Sequence, residues 1–205
     1  ENEQTNLIIA FIVMCIVISF LEPKFLTFVN IMNLIKQVSI VGIAGLGALL
    51  VILTGEWDLS IGSIQAACGC LMVYLLNNGP RNYFLAFVIV LAVGACIGIA
   101  NGLLVTKMYI NSFMATLGTM SIIKGITYVM TNASSVVNNY PDFDFLGTGS
   151  IFNIPVAIWV FIVLCIVFYV VLNKTVFGRN TFAAGGNPNA ARAAGINSDN
   201  IKIIA

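Results

Sequence analysis

The sequence predicts an all-α, polytopic membrane bundle with about six spanning helices. Of the 205 residues, 60% are hydrophobic and 8% are charged, whereas soluble domains are about 25% charged. The hydrophobic residues form continuous runs, and about 20 apolar residues in helical form cross a bilayer. Continuous runs favour helices over a β-barrel, because the strands of a barrel alternate polar and apolar residues.

Six apolar runs are predicted to span the membrane. Pro23 closes the first, since proline cannot continue a helix comfortably. A polar stretch at 28–37 is predicted to form an amphipathic lead-in near the interface, and Asn77-Asn78-Gly79-Pro80 forms a turn after the third run. The fourth contains Gly94, Gly98 and Gly102 at a spacing that favours tight helix packing. The predicted spans are residues 7–21, 38–53, 59–76, 83–106, 113–130 and 154–172.

A polar, basic loop at 173–202 separates the sixth run from a further one that the chain only begins. We therefore expect residues 1–205 to be a fragment of one longer transmembrane domain. Basic loops between spans are typical of the cytoplasmic side, so counting spans backwards places the amino terminus inside. The acidic segment at 131–153 then lies outside. The same counting places Lys107 inside, and Lys24, Lys36 and Arg81 outside.

A short helix at 189–194 is predicted within this loop. A turn that includes Gly186 precedes it, Asn187 or Asn189 caps its first residues, and Gly195 ends it. A helix this short is not stable alone, so it rests on the membrane domain or on a partner; an interfacial helix without a partner is the alternative. Its small side chains are Ala190, Ala191, Ala193 and Ala194.

Two polar constellations interrupt the apolar runs. In the first, at 55–60, Asp58 or Ser60 could cap the following helix; alternatively Glu56, Asp58 and Ser60 line a translocation path or gate, because acids at membrane depth need water or a partner. The second includes a lysine, Lys124, inside the fifth span. It also supplies candidate path residues, or residues that hydrogen-bond between helices: Asn101, Thr116, Gly118 and Thr119.

Several function classes find no support in the sequence. The chain has no histidine, and its five cysteines lie in apolar runs, so they are predicted to be buried small hydrophobes rather than metal ligands or disulfides. The sequence offers no nucleophile with a base for an intramembrane enzyme. With a net charge of +1 and no basic patch interleaved with aromatic residues, it predicts no nucleic-acid partner.

Three blocks resemble the permease subunit of ribose- and galactose-type ATP-binding cassette sugar importers. The block at 54–63, TGEWDLSIGS, is similar to the family's TGGIDLSVGS. The second block consists of NGLLVTK at 101–107 with FMATLGTM at 113–120, and resembles NGxLVxK with FIATLGTM. The block at 177–196, FGRNTFAAGGNPNAARAAGI, resembles FGRxxYAIGGNxEAARxSGI. The resemblance covers nearly the whole chain, with departures at Glu56, Trp57 and Asn189.

The resemblance implies a permease subunit of the bacterial inner membrane that translocates a monosaccharide such as ribose or galactose. Its partners would be a second permease copy or paralogue, a cytoplasmic ATP-hydrolysing subunit, an extracytoplasmic sugar-binding protein and membrane lipid. ATP would be used by the partner, with no cofactor or metal bound by this chain, which has no GxxxxGK[ST] pattern. The resemblance also implies the residues that couple to the ATPase: Gly186, Asn187, Asn189, Ala190, Ala191, Arg192 and Gly195.

An ion-coupled secondary transporter of small polar solutes is the alternative function. That class places ionisable residues in the middle of its spans. Only Lys124 fits this description in the sequence, and a single such residue argues against an ion-coupled transporter. The transport subunit driven by an external ATPase, which the resemblance implies, is therefore favoured.

Overall fold

A computed structural model describes residues 2–79, 82–139 and 145–205. Within these ranges six helices are long and apolar enough to cross a membrane, which confirms the predicted all-α membrane bundle. Arg81, Asp142 and Asp144, which were assigned to the outer side, lie outside the described residues. The spanning helices are α1 (Asn2–Leu21), α2 (Phe28–Leu53), α3 (Ile61–Asn78), α4 (Tyr83–Thr106), α5 (Ser112–Thr131) and α7 (Val156–Lys174).

Shorter elements connect the spans. A four-residue helix, α6, and a two-stranded antiparallel hairpin precede α7, and three short helices follow it. The hairpin turns at Phe152 and Asn153, which both have positive φ, as a two-residue turn of this kind requires. These elements are α6 (Phe145–Thr148), β1 (Ser150–Ile151), β2 (Ile154–Pro155), α8 (Val176–Gly186), α9 (Pro188–Ala193) and α10 (Ser198–Ile204).

The structure corrects the lead-in predicted before the second span. Residues 28–37 form the first turns of α2, a single helix of 26 residues. It begins where the Thr27 hydroxyl accepts a hydrogen bond from the backbone N–H of Asn30, and no proline interrupts the helix after that. At about 1.5 Å per residue it measures about 39 Å, which exceeds a hydrocarbon core of about 30 Å. Its polar first turns can therefore extend beyond the apolar layer.

The spanning helices form two groups. Helices α3, α4 and α5 pack on one another, and α2 packs mainly on α7. Met72, Leu76 and Ala86 form a buried apolar cluster between α3 and α4. None of the spanning window of α1 is buried within the described chain. Helix α2 also contacts α3 directly, and further elements strengthen the connection between the two groups.

Helices α8 and α10 join the two groups at one end of the bundle. Helix α8 packs on α2 and α7, and α10 packs on α4 and α8. Gly185 approaches α2 so closely that an added side-chain carbon would collide with the Leu53 carbonyl oxygen. The turn predicted at Gly185-Gly186-Asn187-Pro188 is therefore shorter than expected: both glycines belong to α8, Asn187 separates α8 from α9, and the glycine at 185 serves close packing.

The loops sort to the two ends of the bundle as the counting of spans requires. At one end, the Asn77 side chain donates to the Val137 carbonyl and accepts from the Asn139 N–H. The loops that follow α2 and α4 gather with α8, α9 and α10 at the other end, where Glu56 contacts Lys202 and Lys107 contacts Asp199. The end of the bundle that carries α8, α9 and α10 is the end predicted to face the cytoplasm.

Candidate functional site

A cavity of about 560 Å³ opens beside the loop between α2 and α3. This volume lies in the range of about 300–1,000 Å³ that small-molecule sites occupy. Helix α4, the first turns of α5 and the end of α10 form its other walls. Its polar lining residues are Glu56, Asp58, Asn101, Ser112, Thr116 and Lys202.

Asp58 organises the turn that precedes α3. Its Oδ1 accepts hydrogen bonds from both the backbone N–H and the hydroxyl of Ser60, each at 2.6 Å. Ser60 is fully buried and occupies the position before α3 without capping it through its side chain. The predicted cap by Asp58 or Ser60 is therefore wrong, because the Ser60 hydroxyl is committed to Asp58 and the Asp58 carboxylate to Ser60.

A chain of hydrogen bonds continues from Ser60 through α4 to α5. The Asn101 amide nitrogen donates to the Ser60 hydroxyl oxygen at 3.0 Å, and the Thr119 hydroxyl donates to the Asn101 amide oxygen at 2.6 Å. Every donor points toward Asp58, so the carboxylate is the final acceptor and the orientation of the Asn101 amide is fixed. Asn101 is 5% exposed, and a buried amide needs such partners.

The first turns of α5 bind the same loop. The Trp57 N–H donates to the Ser112 hydroxyl oxygen at 3.3 Å, and the Leu59 N–H donates to the Thr116 hydroxyl oxygen at 3.2 Å. Thr116 in turn donates to the Ser112 carbonyl at 2.7 Å. The predicted hydrogen bonding between helices is present at Thr119, which bonds to Asn101 of α4, whereas Thr116 bonds to the loop. Ser112 was not among the candidate residues; it directly precedes the block FMATLGTM at 113–120.

The structure separates the predicted path residues into three sets. Glu56, Asp58, Asn101 and Thr116 line the cavity. Ser60 and Thr119 stand behind the wall and hold it through hydrogen bonds. Gly118 is half-buried on α5 outside the set of described residues that line the cavity, and a carbon added to it would meet no atom within 4 Å.

Ion pairs connect α10 to the loop after α2, to the end of α4 and to α9. Lys202 on α10 pairs with Glu56, whereas Asp199 pairs with Lys107 at 3.7 Å and with Arg192 at 3.3 Å. None of these ion pairs was predicted from the sequence. The available signal was that opposite charges lie in polar segments assigned to the same side of the membrane.

The predicted loop helix is present as α9, but it begins and ends one residue earlier than predicted, at Pro188–Ala193 instead of 189–194. Asn187 caps it: its side-chain oxygen accepts from the N–H groups of Asn189 at 3.1 Å and Ala190 at 3.0 Å. Gly195 ends it with φ of +82°, a conformation that side chains disfavour. Its N–H bonds to the Arg192 carbonyl, and the Ile196 N–H bonds to the Ala191 carbonyl, which is a Schellman motif. Gly195 was correctly placed.

One face of helix α9 is exposed, and the opposite face packs against the rest of the chain. Ala191 is 4% exposed and faces the chain itself, so its methyl group supports the helix. The buried Ser198 hydroxyl donates to the Pro188 carbonyl at 3.5 Å and ties α9 to α10. The other predicted coupling residues are all exposed: Gly186, Asn187, Asn189, Ala190, Arg192 and Gly195.

Comparisons with known proteins show which family the sequence matches. The profile of a family described as branched-chain amino acid transport system / permease component matches residues 30–205. The chain is 36% identical over 206 residues to the ribose import permease protein RbsC of Escherichia coli K12, which covers 98% of this chain and 64% of that protein. No solved structure matches the chain significantly.

Two further relatives are also named as permease proteins of sugar transport systems. The L-arabinose transport system permease protein AraH of Escherichia coli K12 is 34% identical over 202 residues, covering 98% of this chain and 61% of that protein. The ribose import permease protein RbsC of Bacillus subtilis is 37% identical over 195 residues, covering 94% of this chain and 60% of that protein. The chain therefore spans 60% to 64% of the length of these relatives.

Proposed function

The chain belongs to the family described as branched-chain amino acid transport system / permease component, and from this premise we propose that it is the permease subunit of an ATP-driven sugar importer. The solute is a monosaccharide such as ribose, arabinose or galactose. Relatives named for ribose and arabinose, 34% to 37% identical over nearly the whole chain, favour a sugar over a branched-chain amino acid. The six spanning helices and these bacterial relatives make it a multi-pass protein of the bacterial inner membrane.

The observation that carries the coupling part of the proposal is the outward face of α9. Asn189, Ala190 and Arg192 are exposed while Ala191 anchors the helix, so a small, smooth knob projects from the end of the bundle where α8 and α10 join the two helix groups. A cytoplasmic ATPase subunit that binds this knob can move both groups of spanning helices at once. The ATP is bound and hydrolysed by that partner, and the permease chain is a transport subunit without an enzymatic role.

Other partners follow from the same function. A second permease copy or paralogue completes the pathway, an extracytoplasmic sugar-binding protein delivers the solute, and lipid covers the apolar outer faces of the spans. Nucleic acid is not a partner. The solute path includes the cavity lined by Glu56, Asp58, Asn101 and Thr116, whose carboxylate, amide and hydroxyl groups suit a neutral polyol.

Uptake by a defined transport system tests the proposal. The full-length permease is expressed with its ATPase and binding protein in a bacterium without other pentose or galactose importers. Accumulation of labelled ribose, arabinose, galactose and leucine is then measured. We expect uptake of at least one sugar and no uptake of leucine, with complete loss when the ATPase carries an inactivating substitution in its phosphate-binding loop. Leucine uptake without sugar uptake would contradict the proposed solute.

An ion-coupled secondary transporter remains the second candidate because of Lys124. This cation lies inside α5, is exposed, and forms no ion pair with the described residues. It lies seven residues before the end of α5, or about 10 Å along the axis, so its side chain can also reach toward the interface. Uptake that survives loss of the ATPase but collapses with an uncoupler would favour this second candidate.

A further inference from the structure

The ion pair between Glu56 and Lys202 lies at the wall of the cavity. Glu56 belongs to the loop after α2, whereas Lys202 lies on α10, which follows the knob helix α9. Both side chains line the cavity and meet each other at its wall. They are therefore a direct contact between the knob-bearing segment and the polar wall.

This pair differs in burial from the other ion pairs of α10. The side chains of Glu56 and Lys202 are 20% and 18% exposed, whereas Lys107 and Arg192, the partners of Asp199, are 58% and 55% exposed. Exposed ion pairs are screened and contribute little, but a pair with little surrounding water interacts more strongly. When one member of such a pair moves, the other is drawn with it or is left without its partner.

Continuous contacts connect the knob to the cavity wall through this pair. Ser198 binds the Pro188 carbonyl, so α9 and the start of α10 are tied together. On the far side of the pair, Trp57 and Leu59 are bound to α5. A displacement of α9 therefore reaches α5 through Lys202 and Glu56.

The same wall is also connected to α4. Asp58 accepts from Ser60, and Ser60 accepts from Asn101. Helix α10 itself packs on α4, with Ile203 beside Gly102. Breaking the contact between Glu56 and Lys202 would thus let α10 separate from the loop, while the loop stays attached to α4 and α5.

We propose that Glu56 and Lys202 form a latch that holds the cavity closed toward the side on which α9 projects, and that movement of α9 by the motor subunit opens it. Both are positioning residues, and the solute that leaves through the opened wall is a neutral sugar. The inference rests on the proposed function for its solute and its motor, but the latch itself is defined by the contact between the two charges.

Access to the cavity tests the latch without requiring transport. Val105 lines the cavity on α4, and Val105→Cys is placed in the full-length permease after all native cysteines, including the five of residues 1–205, have been replaced by alanine. The permease is assembled with its ATPase in inverted membrane vesicles without nucleotide. The rate of labelling by a membrane-impermeant maleimide then measures how open the cavity is.

Four latch variants give the decisive comparison. We expect Glu56→Gln and Lys202→Gln each to raise the labelling rate severalfold. The double variant should be no faster than either single variant, and the exchange Glu56→Lys with Lys202→Glu should return the rate toward that of the parent. Glu22→Gln and Lys24→Gln, which remove the same charges at exposed positions between α1 and α2, should leave the rate unchanged.

The failures of the latch and of the transport function are distinguishable. Equal labelling rates in all variants, effects of the two single variants that multiply in the double variant, or an exchange variant that folds yet labels as fast as the single variants would each overturn the latch. If the parent accumulates no ribose, arabinose or galactose, the proposed function fails, and the labelling rates still decide the latch.

Discussion

Asn101 on α4 donates a hydrogen bond to the Ser60 hydroxyl oxygen at 3.0 Å, across 41 residues of sequence. Both residues are buried, and both belong to blocks by which the chain resembles sugar permeases. The contact makes two separate blocks parts of one structure: the first supplies Asp58 and Ser60, and the second supplies Asn101 and Thr119. A polar wall is thereby built inside an apolar bundle.

Replacing Asn101 by leucine should destabilise the bundle by about 1–3 kcal/mol. The substitution removes the bonds to Ser60 and Thr119 and leaves buried polar atoms without partners, although single interhelical bonds in membranes average only about 0.6 kcal/mol. Unfolding of the full-length permease in detergent measures the change. Asn33→Ala, at an exposed position on α2, is the control and should stay within about 0.5 kcal/mol of the parent.

Two substitutions of Thr119 separate the contribution of its hydroxyl group from that of its side-chain shape. Thr119→Val keeps the volume but loses the bond to Asn101, so it should cost about 1 kcal/mol, whereas Thr119→Ser keeps the hydroxyl and should cost less. The same unfolding measurement applies. Equal losses in the two variants would mean that the contact does not stabilise the wall.

Asp58→Ala should reduce sugar uptake on the order of tenfold or more, because charge-assisted bonds contribute about 1.5–3 kcal/mol and 1.4 kcal/mol corresponds to a factor of ten. Asp58→Asn retains an acceptor oxygen for Ser60 and should fall between the parent and Asp58→Ala. Initial uptake rates, normalised to permease in the membrane, give the comparison. A parental rate in Asp58→Ala would make this carboxylate dispensable.

Local signals in the sequence were sufficient for most of the elements. Continuous apolar runs predict the six spans, and proline, asparagine and glycine mark the ends of α9. The local signals gave wrong predictions at the start of α2 and at the end of α8, for different reasons. The polar residues at 28–37 are compatible with a helix that extends beyond the apolar layer. Gly185 looks like a turn residue in sequence, but its small size is required by α2, a neighbour that local sequence does not reveal.

Most of the polar residues of the candidate site were predicted, but Ser112, Lys202 and the connections between residues were not. Asp58, Asn101 and Thr116 were selected because polar groups are costly in an apolar span, and all three line the cavity. The bond between Asn101 and Ser60 and the pair between Glu56 and Lys202 join residues distant in sequence. Such pairs depend on how the helices pack, which one sequence and its periodicity do not contain.

Gly195→Pro should abolish uptake while leaving the permease in the membrane at normal levels. Proline holds φ near −65° and lacks the N–H, but this position has φ of +82° and donates to the Arg192 carbonyl. The end of α9 would therefore unwind. Gly147→Ala, at an exposed site with open space around it, is the matched control and should transport normally.

The two faces of α9 should respond differently to a large cation. Ala191→Arg places a long side chain where the native methyl group is 4% exposed, so it should destabilise the permease itself, by about 1–3 kcal/mol as expected for overpacking, and abolish uptake. Ala193→Arg changes an exposed position and should leave stability unchanged while reducing the amount of ATPase that co-purifies. Equal effects of both variants on stability would contradict the assignment of the faces.

The proposed coupling requires that α9 projects into the cytoplasm, where a motor subunit holds it. The most direct measurement places a single cysteine at Asn189, on the exposed face, and labels it with a membrane-impermeant maleimide in intact cells and in inverted vesicles. We predict labelling in inverted vesicles alone, with protection when the ATPase subunit is bound. Labelling in intact cells would put the knob on the outer surface, beyond reach of any cytoplasmic motor, and would contradict the account.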